Sequence, residues 1–269
     1  MKIKFYDINL VKGYINILSV FNLFLSFILI FFDIPQEYKY VSFIAFIIIN
    51  VIIYLAMLIR ANTIKKIKLD IDGSTVEIRE GNIFEEKNLK VMNFNEYFDT
   101  KVDNKIIAKN TLNGQFIKKY VENIEELDNL IETNLESIGY NENREDGKKK
   151  KYSLGEIVEY KDFLITSLSK FDDQNRANLT LKEYISFLMN FWNNLDVIYA
   201  NRNVSMTIFG SGITRFKEIT YISEQELLEI IIWSFKISKV KFKYPTKISI
   251  IIPKEKINKI NLYKIKEEF

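Results

Sequence analysis

Two uncharged apolar runs of 20 residues each, 13–32 and 40–59, constrain this chain more than anything that follows them. At 1.5 Å per helical residue, a run of about 20 matches the roughly 30 Å hydrocarbon core of a bilayer. The linker Asp33-Ile-Pro-Gln-Glu-Tyr-Lys39 has length for a tight turn only. The pair therefore reads as a helical hairpin that enters a membrane and returns. A signal peptide would carry a shorter apolar run and a small-residue cleavage site. A buried hairpin of a soluble protein would rarely stay apolar all the way round. Lys2, Lys4 and Lys12 precede the pair and Arg60, Lys65, Lys66 and Lys68 follow it, whereas the turn sets Asp33 and Glu37 against Lys39. The positive-inside rule then places both termini in the cytoplasm.

Inside the hairpin, Asn22 lies nine residues from Gly13 and Asn50 nine from Ile59. Both sit about 13.5 Å from the cytoplasmic side. Amides at equal depth can bond to their own helix or pair across helices, for about 0.6–2 kcal/mol. They would join one hairpin internally or join neighbouring copies; the second is the expectation.

About 200 mostly polar residues remain, enough for one ordinary domain with its own core. Lys and Arg total 38 against 35 Asp and Glu, so no polyelectrolyte signal for nucleic acid is present. The chain contains neither cysteine nor histidine. Disulfides, thiolate chemistry, imidazole bases and the usual zinc sites are excluded. No metal site and no catalytic residue is expected. The abundance of Ile, Lys and Asn suggests an AT-rich bacterial genome, and the expected location is the bacterial inner membrane.

Alternation over 64–79 around Asp72-Gly73 predicts a β-hairpin, and 89–94 a buried strand. Residues 121–138 read as a helix with Ile124, Leu127, Ile131, Leu135 and Ile138 on one face; its glutamates read as a solvated surface. Residues 141–151 are a polar loop whose lysine run, 148–151, reads as exposed or as touching anionic lipid. Strands resume at 156–160 and 163–168. Thr180-Leu-Lys-Glu183 and Ser223-Glu-Gln-Glu226 are capping boxes that open two further helices. Between these helices a short strand, 204–209, runs into Gly210-Ser-Gly212. Residues 248–252, almost all β-branched, suit a central strand covered on both faces. Strands alternating with helices imply an α/β fold: three α/β/α layers around a mixed sheet.

The sharpest local signal is Phe209-Gly-Ser-Gly-Ile-Thr-Arg-Phe216. A strand ending in Gly-x-Gly lets backbone approach a ligand closely, and successive N–H groups form a nest for a phosphate or diphosphate. Arg215 would add charge. Asn113-Gly-Gln-Phe116 is a second such loop, with a glycine just before a helix-like stretch. Loops at the carboxyl ends of strands line the ligand crevice of an open α/β sheet, so the two loops suit opposite walls of one phosphate site.

The order Arg79-Glu-Gly-Asn-Ile83, Val91-Met-Asn-Phe-Asn95 and the two glycine loops is similar to a macro domain. With the hairpin in front, essentially the whole chain resembles the membrane-anchored macro effectors of type II Thoeris antiphage systems. The likeness is most specific in Asn93-Phe-Asn-Glu-Tyr-Phe-Asp-Thr100, Leu112-Asn-Gly-Gln-Phe116 and residues 209–216. It implies a hairpin unit, residues 1–62, and a macro-like ligand-binding domain, residues 63–269. It also implies a sensor rather than an enzyme. A partner TIR-domain enzyme makes an ADP-ribose-derived signal, in this family histidine-linked ADP-ribose. The macro domain binds it, and the effector oligomerises and disrupts the membrane in abortive infection. By motif, Gly210, Ser211, Gly212, Ile213 and Thr214 would hold the diphosphate, facing Asn113, Gly114, Gln115 and Phe116. Ile83 would lie near the adenine, with Asn82 where macro domains commonly have Asp. Asn95 and Asp99 would lie towards the distal ribose. The first loop lacks the glycine run of macro hydrolases, which favours binding over turnover. The alternative is a membrane-tethered ADP-ribosyl hydrolase working through a substrate-held water.

Overall fold

The computed structural model describes residues 3–172, 174–212, 214–218, 221–242 and 245–269. By internal packing they group into two units, Met1–Ile67 with Asn261–Phe269, and Lys68–Ile260.

The first unit holds the helical hairpin, α1 (Ile8–Phe31) and α2 (Lys39–Thr63). Their 24 and 25 residues exceed the predicted runs because each helix extends beyond its apolar segment on the side bearing the basic flanks. There the Asp7 carboxylate caps α1 by accepting from the N–H groups of Asn9, at 3.0 Å, and Leu10, at 3.2 Å. Large apolar side chains stand uncovered along both helices: Leu23 is 71% exposed, Ile30 74% and Phe43 63%. The core helix of a soluble protein would hide such residues. Both helices are long and apolar enough to cross a membrane.

Within the hairpin, Asn50 is buried and its amide is satisfied locally. Its Nδ2 donates to the Phe46 carbonyl at 2.8 Å, and its Oδ1 accepts from the Tyr14 hydroxyl at 3.0 Å. The inter-helix bond of Asn50 is therefore made by Tyr14, not Asn22, which makes no side-chain hydrogen bond among the described residues. Residues 261–269, read from the sequence as part of the second domain, group with the hairpin instead. Tyr263 packs with Met57 and Leu58 against a small cluster of Ile3, Leu10 and Ala61. Gly13 admits it: a Cβ there would stand 2.8 Å from the Tyr263 hydroxyl.

The second unit is an α/β domain. In chain order it runs β1 (Lys66–Ile71, its first two residues grouping with the first unit), β2 (Ser74–Glu80), β3 (Leu89–Asn95), α3 (Leu112–Tyr120) and α4 (Ile124–Asn134). Next come β4 (Gly139–Tyr140), β5 (Lys150–Lys151), β6 (Ile157–Tyr160), β7 (Phe163–Phe171), β8 (Ala177–Leu179) and α5 (Leu181–Ile198). It continues with β9 (Val204–Met206), β10 (Arg215–Phe216), α6 (Glu224–Ser238), β11 (Lys247–Ile252) and α7 (Lys254–Ile257); the final helix, α8 (Leu262–Glu268), lies in the first unit. The hairpin turn falls at Asp72 and Gly73, both at positive φ. Both capping boxes form. The helix predicted over 121–138 is shorter, because the Asn123 side chain caps its start and Leu135 turns extended at its end. Residues beyond it form a small ribbon: β4, just before the stretch read as a loop, pairs with β5 at its end.

The mixed sheet has the order β1-β2-β11-β9-β3-β7-β8-β10, with β6 also paired to β7. The run β2-β11-β9-β3-β7 is parallel throughout, while β6 and β8 are antiparallel to β7. Met92 and Phe94 of β3 and Phe163 and Ile165 of β7 share one core with Phe116 of α3 and Leu127 of α4. Their neighbours Val91 and Leu164, which point to the opposite face by strand alternation, are equally buried. That second face lies towards α5, which packs in turn on α6; Trp192 Nε1 donates to Ser234 Oγ at 2.8 Å in the seam. The central strands are covered on both faces, as their continuous apolar runs require.

Candidate ligand-binding site

The carboxyl ends of β3, β7, β9 and β11 open into a cavity of about 390 Å³. That is where an open parallel sheet places its ligand, and the volume lies in the range of about 300–1,000 Å³ typical of small-molecule sites. One wall is the chain between β3 and α3, the opposite wall is the turn after β9, and Pro253, Glu255 and Lys256 close the side beyond β11.

The first wall is built by side chains folding back onto backbone. Asp103 Oδ1 accepts from the N–H groups of Lys105 and Ile106, both at 2.8 Å. The bond from Ile106 leads in holding its carboxyl below the usual range. Thr111 caps α3, accepting from the Gly114 N–H at 3.2 Å and donating to the Ala108 carbonyl at 2.7 Å. This closure fixes Gly114, because a Cβ there would lie 2.3 Å from the Ala108 oxygen. Asn113 and Gln115 line the cavity.

The opposite wall is the glycine turn. Its base is rigid: the buried Tyr184 hydroxyl donates to the Phe209 carbonyl at 2.9 Å, and the Phe187 and Phe191 rings pack edge-on against Phe209. Burial drives the Tyr184 hydroxyl pKa far upward, so it stays a donor. Gly210 takes φ +78°, a conformation other residues resist. A Cβ on Gly212 would meet nothing within 4 Å, so this backbone faces open space. Lys256 Nζ donates to the Ser211 carbonyl and to Ser211 Oγ, the latter at 3.2 Å, with Glu224 at 3.8 Å.

The floor is the end of β3. Between Phe94 and Asn95 its register against β7 slips, so that Asn95 pairs with Ser169. Asn93 lines the cavity, and its Oδ1 is buried without a hydrogen-bond partner among the described residues. A buried unpaired acceptor is costly and calls for a donor. Asn95 also lines the cavity, but its amide is held internally: Oδ1 accepts from the Tyr97 N–H at 3.0 Å and Nδ2 donates to Asp99 at 2.8 Å.

Several residues expected at the ligand lie outside the lining of this cavity. Asp99 is 1% exposed and fully engaged, by the Arg144 guanidinium at 2.6 and 3.1 Å and the Lys148 N–H at 2.8 Å. The same guanidinium lies 3.9 Å from the Tyr97 ring centroid. Ile83 and Phe116 belong to the hydrophobic core, and Gly114 serves the loop closure. Asn82 caps a short 3₁₀ turn by accepting from the Phe84 N–H at 3.1 Å. Arg215 faces a second cavity, of about 580 Å³, on the far side of the glycine turn, which Gly210, Ser211, Gly212 and Thr214 also line. Ile213 lies outside the described residues. The lysine run, read as exposed or lipid-facing, is bound within the domain: Lys148 to Asp128, Lys149 to the Glu142 carbonyl, Lys150 to Glu132 and Lys151 beside Glu96. The cavity adds Asn93, Ser169, Thr207 and Lys256. Asn93 opens the motif that runs to Thr100, but nothing local marked the other three.

Comparison with known proteins bears on this arrangement. Residues 76–253 match the family model for the Thoeris protein ThsA, Macro domain. The Thoeris protein ThsA of Bacillus amyloliquefaciens (strain Y2) is 41% identical over 244 residues, 88% of this chain and 82% of that protein. A solved mutant of an Oceanobacillus iheyensis macrodomain aligns at 14% identity and a TM-score of 0.45, over 76% of this chain and 97% of its own. A macrodomain of that organism solved with ADP gives 14% and 0.42 over 76% and 95%. On the family match and the identity to its Bacillus relative, the chain belongs to the Thoeris ThsA macro-domain family.

Proposed function

We propose that this chain is a membrane-anchored antiphage effector whose cavity receives an ADP-ribose-derived signal, histidine-linked ADP-ribose, made by a partner TIR-domain enzyme. The observation that carries the reading is the cavity. A glycine turn with open backbone faces a wall bearing Asn113 and Gln115, over a floor with a buried acceptor on Asn93 that lacks a partner among the described residues. Open backbone at Gly212 and a lysine suit a diphosphate, and Asn93 suits a ribose hydroxyl. Gly210, Ser211, Gly212 and Thr214 line the diphosphate wall, with Ile213 between them in sequence, and Arg215 supplies charge from behind it. Asn95 floors the ribose end, oriented by Asp99. Ile83, Gly114 and Phe116 act through the shape of the walls.

The uncovered apolar helices support a place in a membrane, and the basic flanks of the hairpin support cytoplasmic termini and with them the bacterial inner membrane. Only four residues, 257–260, separate Lys256 at the cavity from Asn261, where the chain re-enters the hairpin unit. On this reading a bound signal favours an assembled form, in which hairpins of neighbouring copies cluster and disrupt the membrane. The ligand must bind that form better than the resting one, since equal affinity shifts nothing. Asn22 supplies an amide for pairing between copies. Binding without turnover is the primary reading; hydrolysis of an ADP-ribosyl bond is the alternative.

Calorimetric titration of ADP-ribose and histidine-linked ADP-ribose into the detergent-solubilised chain tests the site. Saturable binding, tighter for the histidine-linked form, is the expected result; no heat with either ligand would overturn the reading. Release of free ADP-ribose from a labelled substrate would select the hydrolase.

A further inference from the structure

The diphosphate wall already carries a cation. Lys256 is the residue of α7 whose ammonium lies on the glycine turn, bonded to both oxygens of Ser211, 45 residues away in sequence. Its charge is poorly balanced there. The carboxylate within reach, Glu224 at the start of α6, lies 3.8 Å away and is shared with Lys259 at 3.4 Å. Glu224 is therefore only part of a counter-charge for Lys256, which carries the ammonium among the described residues lining the cavity, where Glu255 carries the carboxylate. The Lys256 side chain is 23% exposed, so that charge acts through a medium far less screening than water. Open backbone at Gly212 lies in the same turn, one residue from the oxygens Lys256 holds.

We propose that Lys256 Nζ is a direct partner of the signal's diphosphate, exchanging the neutral oxygens of Ser211 for a phosphate oxygen when the cavity fills. The inference rests on reading the cavity as an ADP-ribose site. The bond to Ser211 is charge-assisted by the ammonium alone; a phosphate oxygen adds the attraction of an opposite charge, which a neutral oxygen cannot supply. Lys256 thereby gives the site its preference for a phosphorylated ligand over the bare nucleoside. Backbone N–H groups supply the shape of the phosphate nest, and Lys256 supplies the full charge.

The test is titration of the full chain in detergent with ADP-ribose and, separately, adenosine, using the wild-type chain, Lys256→Met and Lys256→Arg. Methionine keeps the length and the apolar stem but removes the charge. Lys256→Met is expected to weaken ADP-ribose binding about tenfold and leave adenosine within about twofold, with Lys256→Arg within about threefold for both. Unchanged ADP-ribose affinity in Lys256→Met would overturn the inference. Equal losses for ADP-ribose and adenosine would also overturn it, since a mere strut between α7 and the turn behaves that way. If the wild-type chain itself fails to bind ADP-ribose, the site reading falls first.

Discussion

Replacing Gly212 with glutamate places a carboxylate in the space where the diphosphate is proposed to lie. The substitution is clean. A Cβ at Gly212 meets no atom within 4 Å, and the residue does not sit at the positive φ found at Gly210. Stability should therefore change by no more than about 0.5 kcal/mol, the usual range for a surface change that disturbs no contact. The ligand suffers instead. A carboxylate about 6 Å from a phosphate charge costs about 3 kcal/mol at an effective dielectric of about 20. That is about a hundredfold in affinity. Gly212→Ala, which adds bulk without charge, should cost far less. The assay is calorimetric titration with ADP-ribose beside a thermal melt of each variant. Gly114→Ala makes the contrast, since its Cβ would strike the Ala108 carbonyl at 2.3 Å and should lower the melting temperature. An undiminished affinity in a folded Gly212→Glu protein would refute the placement of the diphosphate.

Arg144→Met strands the buried Asp99 carboxylate and should destabilise the domain by about 3–5 kcal/mol, read by chemical denaturation; a loss under about 1 kcal/mol would mean the pair is dispensable. Glu183 feels an upward push from partial burial, but bonds from Lys170 and the Thr180 N–H, each at 2.7 Å, bring its pKa down to about 2. Its contribution is thus present above the ordinary carboxylate pKa of about 4.3 and lost as pH falls towards 2. Glu183→Gln should cost about 1 kcal/mol at about pH 7, the two proteins converging near pH 2 in melts across that range. In the hairpin, Tyr14→Phe removes the inter-helix bond to Asn50, worth about 0.6–2 kcal/mol, while Asn22→Leu should impair crosslinked assembly. Normal assembly and toxicity in Asn22→Leu would remove that amide from the mechanism. Inserting Gly-Ser-Gly between the exposed Asn258 and Lys259 should keep ADP-ribose affinity but abolish growth arrest; persistent arrest would exclude transmission through this segment.

The elements legible in the sequence were those written in local spacing. Both capping boxes, the Asp72-Gly73 hairpin and the two apolar helices depend on residues within a turn or two of each other, and each formed. The glycine turn was legible for the same reason. What the sequence did not show concerns residues whose surroundings depend on distant partners. Asp99, read as lying towards the distal ribose, is held by Arg144, 45 residues away. Phe116 looked like a loop residue, yet it stacks into a core built from β3, β6 and β7. Lys256 sits in no motif and reaches Ser211 only because β11 pairs beside β9.

By itself the sequence determined the hairpin, the alternation of strands and helices, and the position of a turn able to present bare backbone, since hydrophobic period, caps and glycine act over a few residues. Only the tertiary structure decided which polar groups share one cavity, and that α8 belongs with the hairpin. Strand order and register bring those groups together, and they are set by burial of the whole core rather than by any short stretch of chain.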